Sequence, residues 1–336
     1  MNSSTSSSET DLGWGRSLLA CLGALAGAAL LVLALMVVVD PYDSGKLGLL
    51  GIDGVDNRLT QITAASRARN PDFNAAIFGN STAQMIKPAE LSAATGLRFV
   101  QLYMTGANAR EQLAVLDFYL RNHAKVGALV FSADPGWCVH ARPKEAGVPF
   151  PYWLYDKSVL TYAVRSISWQ ALEQVFQRIS IGLGRRPRMN PDGFVSYEDI
   201  WPPGQFKEIG WPRDPAPAIS AEMRATFPEI AALGSVVSRL PTDVPVVIVV
   251  PPTFADTVPK PGTETARERQ ACDAALKAVV AGRSRSNFIS YRVDNELTRD
   301  RASFADFIHY RPVLARKIEQ GIIASLQDGE RAKIDF

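Results

Sequence analysis

The chain opens on polar residues and then turns apolar. Residues 2 to 10 are mostly Ser and Thr and offer nothing to pack, so residues 1–16 read as a disordered cytoplasmic tail. From Ser17 to Val39 the run SLLACLGALAGAALLVLALMVVV carries no charge. At about 1.5 Å per residue it spans roughly 30 Å of hydrocarbon. Trp14 and Tyr42 bracket it where interfacial aromatics belong. Gly23 and Gly27 supply a small-xxx-small pattern that compositional bias alone also produces. A cleaved signal peptide is the competing reading, but its apolar region is shorter, about 7–15 residues, and ends at an Ala-x-Ala-like site. This run reaches Asp40 without one, so residues 17–39 are expected to stay as a single transmembrane helix. Arg16 precedes it, while Asp40, Asp43 and Lys46 follow. That asymmetry favours an inside N-terminus and an outside domain.

Residues 40–70 read as a membrane-proximal connector. Beyond them, short apolar runs alternate with helical periodicity. The runs Asn74–Phe78, Leu97–Leu102, Val126–Ser132, Val244–Val250 and Asn287–Val293 predict five strands. Helices are predicted over Ala109–His123, Thr263–Ala281 and Arg311–Leu326. Continuous apolar strands are buried on both faces, so the alternation implies a doubly wound, mostly parallel α/β sheet over residues 71–336, with helices on each side. Residues 138 to about 240 interrupt this rhythm. They hold Phe150, Tyr152, Trp153, Tyr155, Tyr162, Trp169, Trp201, Phe206 and Trp211, with a helix expected over Val159–Ile181. This insertion is expected to pack over the strand ends, with its aromatics as core or as the lining of a substrate groove.

Of the chain's 336 residues 47% are hydrophobic, enough for a sizeable core. The formal net charge is +2, from 36 basic and 34 acidic residues, a balance that gives no footprint for nucleic acid, which would need a clustered basic face. The three cysteines, Cys21, Cys138 and Cys272, form no CxxC pair, and no metal site or cofactor is called for. Cys138 and Cys272 suit a disulfide if the domain lies outside the cytoplasm; two unpaired thiols are the favoured reading.

Three histidines are present. His123 ends a polar helix and suits a capping or solvated role. His140 has no acidic neighbour in sequence. His309 follows Asp306 by three residues, a spacing that puts both side chains on one side of a tight turn. Asp306 then accepts from Nδ1 and turns Nε2 toward a nucleophile. Ser81, in Gly79-Asn80-Ser81-Thr82 directly after the first strand, is that nucleophile, with adjacent N–H groups available to an oxyanion. Either motif alone is as well explained by an ordinary turn. Asn190-Pro191-Asp192-Gly193 reads as a turn, not a Ca²⁺ loop, and Gly182–Arg188 (GLGRRPR) as a solvated basic loop.

The two motifs together resemble the SGNH (GDSL-like) hydrolase superfamily, across about residues 74–326. Gly79-Asn80-Ser81 stands where its Gly-Asp-Ser block would be, Thr105-Gly106-Ala107-Asn108 looks like the second block, and Asp306-Phe307-Ile308-His309 like the closing one. The resemblance implies a flavodoxin-like three-layer α/β/α fold, Ser81, His309 and Asp306 as catalytic residues, and an oxyanion donor at Gly106. The third block departs: Ser132-Ala133-Asp134-Pro135 stands where Gly-x-Asn-Asp is expected, and an ionised Asp134 cannot donate. Either Asn108 or Asn80 replaces that donor or the oxyanion site is weaker, by about 10²–10³ in rate.

The anchor, the insertion and the strand ending in Asp-Pro-x-Trp look similar to the alginate-type O-acetyltransferase and D-alanyl-transfer branch of bacterial envelopes. What that implies is a serine acyl-transfer enzyme on the periplasmic side of the inner membrane. It would take an acyl donor and a carbohydrate acceptor, beside a membrane-bound O-acyltransferase. The alternative is a non-catalytic SGNH-like subunit that binds a glycan or that membrane partner.

Overall fold

The computed structural model describes residues 9–56, 59–138, 149–187, 190–198, 201–208 and 226–336. His140, Trp211 and Arg188 lie outside the described residues. Helix α1 (Glu9–Val39) begins eight residues before Ser17, inside the stretch expected to be a disordered tail. Its Trp14–Val39 part is long and apolar enough to cross a membrane. Trp14 is exposed, but Tyr42 is not an interfacial residue: it is buried, edge-on against Trp153 and Tyr162.

The connector is structured. It holds helix α2 (Thr60–Arg69), whose buried face is built largely from Ala64, Ala65 and Ala68. Small residues let a helix pack closely while giving almost no amphipathic signal, so periodicity passes over it. The sheet follows: β1 (Ala75–Gly79), β2 (Phe99–Tyr103), β3 (Ala128–Ser132), β4 (Val246–Val250) and β5 (Asn287–Ser290), all parallel, in the order β2-β1-β3-β4-β5. β1 to β4 are buried at every position, as their unbroken apolar runs require.

Successive strand residues face opposite sides. Ala76, Phe78, Phe131 and Ile248 meet α2, α4 (Ala109–Asn122), α8 (Pro228–Val237) and α9 (Glu264–Val280). Ile77, Val130 and Val249 meet α3 (Pro88–Thr95) and α11 (Pro312–Asp328). The β2 edge is covered by the Asn190–Gly193 turn, since the Gln101 N–H donates to the Asp192 carbonyl at 2.7 Å. A Cβ on Gly193 would sit 2.4 Å from the Gln101 carbonyl oxygen, so the docked turn needs glycine there.

Between β3 and β4 the described chain forms α5 (Tyr152–Tyr155), α6 (Val159–Arg165) and α7 (Trp169–Gly182). The single helix expected over Val159–Ile181 is therefore two. Ser168 accepts from the Ala171 N–H and caps α7, which competes with continuation of α6. After β5 a short helix, α10 (Glu296–Arg299), is capped by Asn295. Cys138 and Cys272 are joined, with Cα atoms 5.6 Å apart, so the unpaired-thiol reading is corrected. The cysteines lie 134 residues apart, a separation over which sequence carries no pairing signal.

Candidate functional site

β1 stops at Gly79 and the chain turns back at once. A Cβ there would lie 2.6 Å from Ala83 Cβ and 3.0 Å from Ser132 Cβ, so glycine is what lets the turn close over the strand end. Ser81 opens the single turn Ser81–Ala83. Asn80 caps it: its Oδ1 accepts from the Thr82 N–H at 3.0 Å and the Thr82 hydroxyl at 2.9 Å. Gln101, fully buried in β2, ties down the continuation. Its Nε2 donates to the carbonyls of Ala83, Gln84 and Ile86 at 2.6, 3.2 and 3.0 Å.

The other half comes from the loop before α11. A bridge between Phe304 and Tyr310 closes it, and the Ala305 N–H donates to the His309 carbonyl at 2.8 Å. Asp306 is buried inside. Its Oδ1 accepts the N–H groups of Ile308 and His309 at 2.9 and 2.8 Å, and its Oδ2 lies 2.7 Å from His309 Nδ1. His309 Nε2 lies 2.8 Å from Ser81 Oγ. Burial alone would raise the Asp306 pKa. The His309 hydrogen bond and charge, with the two backbone donors, outweigh that and lower it below the ordinary value. A charged Asp306 puts the imidazole proton on Nδ1 and leaves Nε2 to accept the Ser81 hydroxyl. The imidazole side chain keeps 13% of its surface exposed, so the pair faces solvent, where a substrate can approach.

Ser81, His309 and Asp306 are thus brought together from sequence positions 228 residues apart. The hydrogen-bond distances fall in the range that proton transfer needs. Gly106 lies in the loop after β2, beside this turn: Gly79 pairs with Tyr103, and the Met104 N–H donates to the Gly79 carbonyl at 3.0 Å. Gly106 is exposed with a positive φ of 65°. Asn108 caps α4 in a reciprocal capping box with Glu111, so its carbonyl oxygen is committed to the helix. Asn80 holds Thr82 with its oxygen, while its amide, which carries two N–H donors, lowers the Asp134 pKa by hydrogen bonding and keeps one N–H beyond that contact.

Asp134 is not a simple ionised group. Burial pushes its pKa up, opposed by the Gly136 N–H, the Asn80 amide and the charges of Arg292 and Arg269, and its Oδ1 is buried without a partner. His123 is buried, with Nε2 2.8 Å from the Ala68 carbonyl, and is structural. Burial lowers its pKa.

Sequence reasoning missed Tyr197, Arg311 and Gln101 and did not single out Trp201. Tyr197 and Trp201 flank the imidazole at 5.8 and 5.2 Å between ring centroids; Trp201 was noted only as one aromatic among many. Arg311 is buried and donates to the carbonyls of Phe304, Trp201, Pro202 and Gln205, which sews the aromatic segment to the His309 loop. Gln101 carried one signal, as the polar residue inside the apolar run FVQLY, but that signal does not name its partners. Of the aromatics expected over the strand ends, Trp201 and Phe206 are at the site, while Trp153, Tyr155 and Tyr162 pack toward α1 and α2.

Comparisons with protein-family models, with curated proteins and with solved structures found no match. A polar cavity of about 230 Å³, lined by Asp43, Arg67, Arg69 and Asn190 among others, includes none of the three triad residues.

Proposed function

We propose that this chain is a single-pass, membrane-anchored serine acyl-transfer enzyme of the SGNH-like type, its domain facing the periplasm and acting on envelope or exported polysaccharide. The observation that carries the reading is the unbroken chain Ser81 Oγ, His309 Nε2, His309 Nδ1, Asp306 Oδ2, with contacts of 2.8 and 2.7 Å. The Cys138–Cys272 bridge supports a domain outside the cytoplasm, where disulfides persist.

In this reading Ser81 Oγ attacks the carbonyl of an acyl donor while His309 Nε2 takes its proton. The Ser81 and Gly106 N–H groups steady the oxyanion. The donor's leaving group departs with the proton from His309, leaving an ester on Ser81. A sugar hydroxyl then gives its proton to Nε2 and attacks that ester, and Ser81 recovers its proton. No metal or cofactor enters these steps. A fluorophosphonate probe tests the nucleophile. Full-length parent protein is expected to be labelled at Ser81, with Ser81→Ala unlabelled and unable to cleave an aryl acetate or support polymer acetylation in cells. Equal activity in parent and variant overturns the assignment.

The third-strand Asp134 favours a second reading, a non-catalytic subunit that holds a glycan or a membrane O-acyltransferase. That reading predicts no probe labelling and capture of the membrane complex by Ser81→Ala as well as by the parent.

A further inference from the structure

Trp14–Val39 has 26 residues and, at 1.5 Å each, is about 39 Å long. A hydrocarbon core of about 30 Å leaves nearly two turns over. Those last turns are where the domain is fixed. Val32, Leu35, Met36 and Val39 pack into the core, and α7 lies against α1. The Gly48 and Leu49 N–H groups donate to the Val37 and Val38 carbonyls at 2.8 Å. The buried Arg178 guanidinium donates to the Val39, Asp40 and Ile52 carbonyls and pairs with Asp43 at 2.9 Å. Tyr162 donates to Asp40. The domain cannot swing freely on such a joint.

Around it lies apolar surface that nothing covers. Trp169 and Phe176 on α7, and Leu183 at its C-cap, recur every seven residues on the side away from the buried Ala171, Gln174 and Arg178. Leu160 and Val164 on α6, and Leu49, whose N–H holds the Val38 carbonyl, are exposed as well, with Trp169 and Leu160 at 81% and 75%. Among the described residues outside α1, every large hydrophobic that is exposed falls between residues 49 and 183 except Val293 and Val313. Lys157, Arg165 and Arg185 are exposed in the same stretch of chain, with Arg186 paired to Asp56 at 3.0 Å and Asp53, Asp156 and Glu173 as the exposed acids.

We propose that this collar is seated in the interfacial layer of the bilayer that α1 crosses, with Trp169 at headgroup depth and the basic residues against anionic lipid. The proposal rests on the reading of α1 as a spanning helix. Its occupant is chosen by continuity: α7 packs against α1, and Leu49 is bonded to the end of α1, at the turns that must stand in that layer. Apolar side chains bounded by an interfacial Trp and by cations are the composition such a surface takes. Seated this way, the collar sets the height and tilt of the Ser81 site above the membrane.

The test uses full-length protein in phosphatidylcholine–phosphatidylglycerol vesicles, with and without acyl-brominated lipid, which quenches tryptophans in contact with it. Trp14→Phe removes the indole at the other end of α1. In that background, adding Trp169→Phe is expected to cut lipid-dependent quenching by about twofold or more. Equal quenching in the single and double variants, in protein that alkaline carbonate does not strip from the vesicles, overturns the collar and leaves the anchor standing. That result is also the one expected if a membrane protein covers the patch. Protein stripped by carbonate overturns the anchor and the collar together.

Discussion

At the residue scale the site is a matter of which lone pairs and protons face one another. Asp306 spends one oxygen on two backbone N–H groups and the other on the imidazole, so its carboxylate fixes both the loop and the tautomer. Asp306→Asn keeps an oxygen for the backbone donors but turns an NH₂ toward Nδ1, which forces the proton onto Nε2. The expected outcome is a loss of about 10⁴ in probe-labelling or acyl-transfer rate, with the melting temperature little changed. Rate and melting measured on the same preparation separate a tautomer effect from misfolding. Ser81, Asp306 and His309 were legible because each sits in a short motif whose local geometry has few solutions. Gln101, Tyr197 and Arg311 were not, because their partners are distant in sequence and their side chains say nothing of them.

At the element scale, α11 docks on α3 through a buried carboxyl. Glu319 accepts the Lys87 N–H at 2.6 Å and pairs with Arg316. Burial nevertheless dominates and pushes its pKa up from 4.5 to about 7. Between those values the folded protein keeps a proton that the unfolded chain has released. Stability therefore falls as pH rises through that window, by at most about 3 kcal/mol, and no further above it. Glu319→Gln cannot titrate, and its urea midpoint is expected to drop less than the parent's between pH 5 and pH 7.5. Most elements were legible from pattern: the strands lie within two or three residues of their expected ends, because β-branched runs bounded by Gly and Pro have few other uses. α2 and α3 escaped notice since small residues and a short span leave no stripe to read, and the α6–α7 break since a capping serine overrules apolar period.

At the scale of the whole molecule, the disulfide ties the end of β3 to α9 across 134 residues and so brackets the whole aromatic insertion. By loop-closure entropy it stabilises the fold by about 5 kcal/mol. Cys138→Ala with Cys272→Ala is expected to lower the urea unfolding midpoint, and reductant is expected to do the same to the parent and nothing to the double variant.

The sequence by itself determined the apolar anchor, the alternating β and α elements of a parallel sheet, and the two motifs that bear an alcohol and an imidazole. All of these are local: hydrophobic period, turn chemistry and spacing within a few residues decide them. Only the tertiary structure decided that Ser81 meets His309, that Asn80 comes beside Asp134, that Cys138 meets Cys272, and that the turns after α1 are clamped by Arg178. Those outcomes depend on contacts between segments tens to hundreds of residues apart, which form only when the strands take the order β2-β1-β3-β4-β5 and bring their carboxyl ends to one edge.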